Sequence, residues 1–114
     1  MEFRLLGPVE AVRDGRSLAL GGAKPRALLG FLVIHANEVV SRDRLIEALW
    51  GDRPPGTADH SLDVQVSRLR KVFDQDDVLL TRSGGYVLEV DREQIDVHRF
   101  ERMRWFTRLT FFGS

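Results

Sequence analysis

Apolar and polar residues alternate with two different periods along the chain, one typical of strands and the other of helices. Near the start, Phe3 and Leu5 alternate with Arg4, which indicates a strand. The dipeptide Asp14-Gly15 favours a two-residue type I′ hairpin turn, because both central residues of that turn need positive φ. We therefore predict three short antiparallel strands at the N-terminus, the last of them at residues 16–20.

Three helices are predicted between residues 25 and 73. Residues 25–36 (PRALLGFLVIHA) are apolar almost all round, which indicates a buried central helix, with Pro25 tolerated in its first turn. Ser41 is a suitable cap for a second helix, and Thr57 for a third. The third helix, residues 57–73, carries one apolar stripe at spacings of four, three and four. The stripe consists of Leu62, Val66, Leu69 and Phe73.

Two further strands are predicted after the third helix, at residues 78–82 and 86–90. The short loop Ser83-Gly84-Gly85 joins them, as in a β-hairpin. The sequence thus predicts an α+β domain over residues 1–93, with a three-stranded N-terminal sheet, a three-helix core and a C-terminal hairpin. Residues 94–114 are expected to lie outside this domain.

Composition limits the class of protein. A chain of 114 residues with 43% hydrophobic content is the size of one domain with a real core. It has no cysteine, which excludes disulfides and thiolate metal sites. No run approaches the ~20 apolar residues of a membrane span, and the N-terminus lacks a signal peptide pattern. We therefore expect a cytoplasmic protein that does not enter the membrane.

The side of the third helix opposite the apolar stripe is a candidate for nucleic-acid binding. An aliphatic Val64 within a polar, partly basic face is suited to the major groove, where it can meet a thymine methyl group. The alternative is a solvated face with one stray valine, and the helix alone favours neither. The face carries His60, Val64, Ser67 and Lys71, with Asp63 and Arg68 on its flanks.

Basic residues outside this helix add to the hypothesis. Arg82, next to the hairpin loop, is placed for the minor groove, although alone it is more simply a surface arginine. Arg26, Arg42 and Arg44 lie near helix starts, where phosphate binds, but each could be ordinary surface charge. The formal net charge of zero counts against nucleic-acid binding unless the basic residues share one face.

Several segments taken in order resemble a known family. KPRALLGFLV, SRDRLIEALWGDRPP, VSRLRKVF and LLTRSGGYVLEV are similar to segments of the OmpR/PhoB-type winged helix-turn-helix domains. Among these, the chain looks most like the Streptomyces antibiotic regulatory protein (SARP) family, over roughly residues 3–103. In that family a helical activator domain follows, and residues 95–102 look like its opening helix.

The resemblance implies a set of functional residues. The third helix matches the family's recognition helix, and Arg82 matches the wing arginine that enters the minor groove. The loop at residues 50–56, with Trp50, Asp52 and Arg53, matches a segment that touches RNA polymerase in relatives. The family's DNA contacts fall on His60, Val64, Gln65, Ser67, Arg68 and Arg70.

The chain departs from the family at two of these positions. His60 and Ser67 stand where relatives often carry arginine or another long polar side chain, which puts borrowed base preferences in doubt. Trp50 has two interpretations from the sequence alone, either a core residue that closes its loop or an exposed platform for a partner.

The leading hypothesis is therefore a transcriptional regulator that binds double-stranded promoter DNA, as two copies on direct repeats by analogy with the family. We expect no enzyme activity, no cofactor and no metal, because the three histidines are far apart and no phosphate-binding loop is present. The alternative is a winged-helix protein-interaction module that does not bind DNA. The aromatic-rich last ten residues could serve such a module, or could be a truncated end.

Overall fold

A computed structural model describes residues 1–6, 8–74 and 76–96. The elements, in chain order, are β1 Glu2–Arg4, β2 Glu10–Arg13, β3 Arg16–Ser17, α1 Ala23–Ile34, β4 Val40–Ser41, α2 Arg42–Trp50, α3 Ala58–Phe73, β5 Leu79–Arg82, β6 Gly85–Leu88 and a 3-10 turn at Arg92–Gln94. The expected opening of an activator domain, residues 95–102, lies outside the described residues from residue 97 onward, and so does the aromatic tail.

The N-terminal sheet has the predicted three antiparallel strands, in the order β1-β2-β3. Asp14 and Gly15 have φ of 52° and 79°, as the predicted turn requires. The return strand is shorter than expected and ends at Ser17. One further bond, from Leu18 N to Ala11 O at 2.8 Å, continues the pairing before the chain turns towards α1.

α1 is the buried central helix that the sequence predicts, and Leu28, Leu29 and Leu32 are fully buried. It begins at Ala23, two residues before the predicted start. Pro25 is therefore the third helical residue, where its missing N–H costs nothing because the first four amides of a helix lack intrahelical acceptors. Asn37 follows the helix with φ 67°, and its Oδ1 accepts from Val90 N at 2.9 Å.

α2 and α3 begin next to the predicted caps, but only one cap makes its bond. Ser41 Oγ accepts from Arg44 N at 3.2 Å. Thr57 precedes α3 without a side-chain cap bond, so that part of the prediction was wrong. The apolar stripe of α3 is confirmed, since its four members are at most 1% exposed. Burial of this stripe, rather than capping, positions α3.

The hairpin β5–β6 belongs to a second sheet, with strand order β4-β6-β5. The strand β4, which was not predicted from the sequence, pairs Val40 with Tyr86 and Ser41 with Gly85. After the hairpin, Ile95 bridges to Phe3, and the Asp96 carboxylate accepts from Leu5 N at 2.7 Å. The chain thus returns to the N-terminal sheet just beyond residue 93, where the domain was expected to end.

Candidate nucleic-acid interface

Six side chains of α3 form a shallow concave surface, which we call the outer face of α3. They are His60, Asp63, Val64, Ser67, Arg68 and Lys71. Val64 is partly buried and the other five are exposed. The structure therefore brings together the residues that the helical spacing placed opposite the apolar stripe.

Arg82 ends β5, next to the hairpin turn, and its side chain is half exposed. In this structure the guanidinium is folded back on its own hairpin. Nη1 donates to Thr81 O at 2.9 Å, and Nη2 lies 3.3 Å from Glu89 Oε2. Arg82 is therefore accessible to a ligand but already bound to a carboxylate.

Gln65 and Arg70 lie at the edges of α3 rather than on its outer face. Gln65 Oε1 is buried, and the described part of the chain offers it no hydrogen-bond donor. Arg70 donates from Nε to Leu79 O at 3.1 Å and from Nη2 to Thr81 Oγ1 at 2.7 Å. Its guanidinium therefore ties α3 to β5.

Arg42 begins α2, and its side chain reaches α3 and β6. It donates to the Asp63 carboxylate at 2.7 Å and to the Tyr86 hydroxyl at 3.2 Å. Tyr86 in turn donates to Asp63 Oδ1 at 2.7 Å. Tyr86 was not predicted from the sequence, and no local pattern marks it, because its partners come from two other elements.

Arg42, Asp63 and Tyr86 form a hydrogen-bonded cluster, in which the pKa values of Asp63 and Tyr86 are shifted. The Arg42 hydrogen bond and then that of Tyr86 hold the pKa of Asp63 below its ordinary value of 3.8. Burial and the bond to Asp63 raise the pKa of Tyr86 above 10.0. The carboxylate and the phenol are therefore both stabilised in the forms they have at neutral pH.

A prediction about acid stability follows from Asp63. Because its pKa is lower in the folded chain, its contribution to stability is present above the ordinary value of 3.8 and is lost as the pH falls through the folded pKa. The free energy of unfolding should therefore fall more steeply between pH 5 and pH 2 (roughly the range over which native carboxylates protonate) in the natural chain than in Asp63→Asn. Urea denaturation at stepped pH measures this, with Asp52→Asn, an exposed loop carboxylate, as the control. Parallel curves for the natural chain and Asp63→Asn would contradict it.

The other predicted basic positions are distributed over α1 and α2. Arg26 and Arg44 are exposed, and the Arg44 guanidinium lies 5.8 Å from the centre of the Phe31 ring. No carboxylate of the described segments lies within ion-pair distance of either arginine. Both remain accessible cations near helix starts.

The loop after α2 exposes Asp52 and Arg53, whereas Trp50 packs partly against the core. Lys24 Nζ lies 5.2 Å from the centre of the Trp50 ring and donates to Leu49 O. These contacts fit the interpretation of Trp50 as a core residue that closes its loop.

The described residues were also compared with the requirements of a metal site and of a membrane-spanning helix, and they meet neither. Their His, Asp and Glu side chains form no group of three that could hold a metal ion. In the same ranges, every helix is too short or too polar to cross a bilayer.

Several known proteins are similar to this chain in sequence and fold. The family model described as transcriptional regulatory protein, C terminal, matches residues 15–88. Regulatory protein AfsR of Streptomyces coelicolor is 44% identical over 88 residues, which are 77% of this chain and 9% of AfsR. The chain thus spans about a tenth of the length of the AfsR proteins it matches.

Two solved structures extend the comparison. Mycobacterium tuberculosis EmbR, in complex with a low affinity phosphopeptide, matches with a TM-score of 0.82 and 39% identity over 87% of this chain and 27% of that chain. The C-terminal DNA-binding domain of RstA from Klebsiella pneumoniae matches with a TM-score of 0.58 and 32% identity, over 70% of this chain and 76% of that domain. These matches confirm the predicted α+β winged helix-turn-helix fold. The chain therefore belongs to the transcriptional regulatory protein C-terminal family, the OmpR/PhoB-type DNA-binding domains of transcriptional regulators, and its relatives there are regulators of the SARP type.

Proposed function

We propose that the chain binds promoter DNA sequence-specifically as a transcriptional regulator, with α3 in the major groove and Arg82 in the minor groove. The observation that carries the proposal is the outer face of α3. There, an aliphatic Val64 is surrounded by polar and basic side chains that form a concave surface. In the major groove the valine would meet a thymine methyl group, and the basic side chains would meet phosphates or a guanine edge.

The distribution of ion pairs supports this proposal. Arg4, Arg13, Arg42 and Arg82 each pair with a carboxylate. By contrast, none of the described carboxylates lies within ion-pair distance of Arg68 or Lys71. Asp63, which would repel phosphates from the same face, is bound by Arg42. The net charge of zero is thus compatible with a locally basic surface.

Two further expectations belong to the proposal. Two copies would bind direct repeats, and the loop with Trp50, Asp52 and Arg53 would contact RNA polymerase. The exposure of Asp52 and Arg53 supports the second. Both expectations come from the family, and an experiment on either one first requires the DNA site.

Selection of bound duplexes from a random pool, followed by titration of the selected duplex across a salt series, tests the proposal. We expect one enriched sequence and a binding constant that falls linearly on logarithmic axes as salt rises, because each phosphate contact releases counterions. Arg68→Ala should weaken binding, whereas Arg16→Ala, which removes the same charge from β3, should not. Failure to enrich any sequence would contradict the proposal and favour the protein-interaction alternative.

Glu89 competes with DNA for Arg82 if the proposal holds. Glu89→Gln should therefore tighten binding of the selected duplex by up to about fivefold, since exposed ion pairs are worth up to about 1 kcal/mol. The measurement is the dissociation constant at fixed salt, and the same substitution in an Arg82→Ala background is the control. An equal gain in affinity in both backgrounds would show that Glu89 only repels the DNA by its charge and does not act through Arg82.

A further inference from the structure

The side chain of Arg42 uses its whole hydrogen-bonding capacity within the protein. An arginine has five N–H donors. Nε donates to Asp59 Oδ1 at 3.3 Å, and Nη2 donates to the same oxygen at 3.3 Å and to Asp59 O at 3.0 Å. Nη1 donates to Asp63 Oδ1 at 2.7 Å and to the Tyr86 hydroxyl at 3.2 Å. Five bonds thus occupy the guanidinium, and a phosphate would have to displace some of them.

The position of Arg42 in the fold gives these bonds a geometric role. Its backbone N donates to Gly84 O, in the hairpin turn, at 3.2 Å. Its side chain binds the first half of α3 through Asp59 and Asp63. One residue therefore holds both the tip of the hairpin and the helix that would read the bases.

Tyr86 closes the cluster from the hairpin side. It lies on β6, opposite Thr81 of β5 and Val40 of β4, and it is only 7% exposed. Since its hydroxyl donates to Asp63, a shift of α3 relative to β6 would break this bond together with the Arg42 bonds. The cluster thus opposes movement between the two surfaces that the proposed function places in adjacent grooves.

We infer that Arg42 is a positioning residue for sequence discrimination, which fixes α3 against the hairpin and does not serve as a phosphate ligand. The inference rests on the proposed function, and it replaces the phosphate role that the sequence suggested for Arg42. Discrimination between sequences depends on base contacts made by a correctly placed helix, whereas general affinity depends on the number of phosphate contacts. Loss of Arg42 should therefore lower discrimination and leave the salt dependence unchanged.

Arg42→Met tests this inference, because it keeps much of the aliphatic stem and removes every donor. The probes are the duplex selected by the natural chain and a duplex with the same bases in shuffled order, each titrated across a salt series. We expect the ratio of the two affinities to fall about tenfold, with the slope of log affinity against log salt unchanged. A phosphate ligand would instead reduce the slope by about 0.9 and weaken both duplexes alike. Either that result or an unchanged ratio would overturn the inference.

Asp63→Asn provides a second test that does not depend on whether Arg42→Met folds. If Arg42 is a positioning residue, Asp63→Asn weakens the bond between the two residues and lowers the ratio of the affinities for the selected and shuffled duplexes. It should do so although the loss of a negative charge by itself favours binding to DNA. If Arg42 binds phosphate, the freed guanidinium leaves the ratio unchanged and steepens the salt slope, which would overturn the inference. The double variant, with Arg42→Met and Asp63→Asn together, should lose no more discrimination than the single variant that loses more of it, since both substitutions act through one cluster.

Different results would contradict the proposed function and the role of Arg42. If the natural chain enriches no sequence from the random pool, the proposed function fails and the inference falls with it. If the natural chain enriches a sequence and the affinity ratio survives in both variants, only the inference fails.

Discussion

Gly85→Ala is expected to lower the free energy of unfolding by about 3 kcal/mol, at the upper end of the usual cost of overpacking. A Cβ on Gly85 would lie 2.0 Å from Val40 O and 2.8 Å from Val40 C. These are backbone atoms of β4, and they cannot withdraw without disrupting the pairing of Ser41 with Gly85. The substitution should therefore separate β4 from the hairpin as well as destabilise the domain.

The neighbouring glycine provides a matched control. Gly84 has φ +80°, and a Cβ there would meet nothing within 4 Å. Gly84→Ala should cost only about 1 kcal/mol, from the left-handed backbone conformation. Urea denaturation followed by circular dichroism measures both variants. Equal losses would show that the close approach of β4 to Gly85 is not the reason for glycine at that position.

Val64→Asp is expected to weaken binding to the selected duplex by about 2 kcal/mol, or roughly thirtyfold, with little effect on folding. The valine side chain is only partly buried, so the domain loses little packing. In the proposed complex the new carboxylate would replace an aliphatic contact with a base and would face the negative charge of the DNA. Both effects oppose binding.

Ile34→Asp is the control for Val64→Asp. Ile34 is 62% exposed at the end of α1, so the same kind of change is made away from the outer face of α3. Its binding should stay within about twofold of the natural chain, since distant surface changes have small effects. The measurement is the dissociation constant of the selected duplex at one salt concentration, with thermal unfolding as a check of folding. Equal affinity of Val64→Asp and the natural chain would exclude the outer face of α3 as the reading surface.

Local signals accounted for most of the fold. The Asp14-Gly15 turn, the Ser41 cap and the four-residue stripe of α3 were each predictable, because turn conformation, capping and helical spacing depend on residues close in sequence. The strand β4 was not predictable in this way. It has only two residues, and it is a strand because β6, more than forty residues later, lies beside it.

The candidate site, like the fold, was predictable from local signals only in part. Helical spacing was sufficient to group the residues of the outer face of α3. It could not indicate that Arg70 is bound to β5, that Arg82 is folded back on Glu89, or that Arg42 is fully occupied. Arg26, Arg44 and Arg68 are arginines too, and nothing local distinguishes them from these three.

The sequence by itself determined the order of the helices and of every strand except β4, the buried sides of the helices and the family, since all of these are properties of short segments and their order. Only the tertiary structure decided which arginines are available to a ligand and which are used internally. The reason is geometric: a guanidinium binds whatever acceptor lies within reach in space, and the acceptor of Arg42 on Asp63 is 21 residues away along the chain.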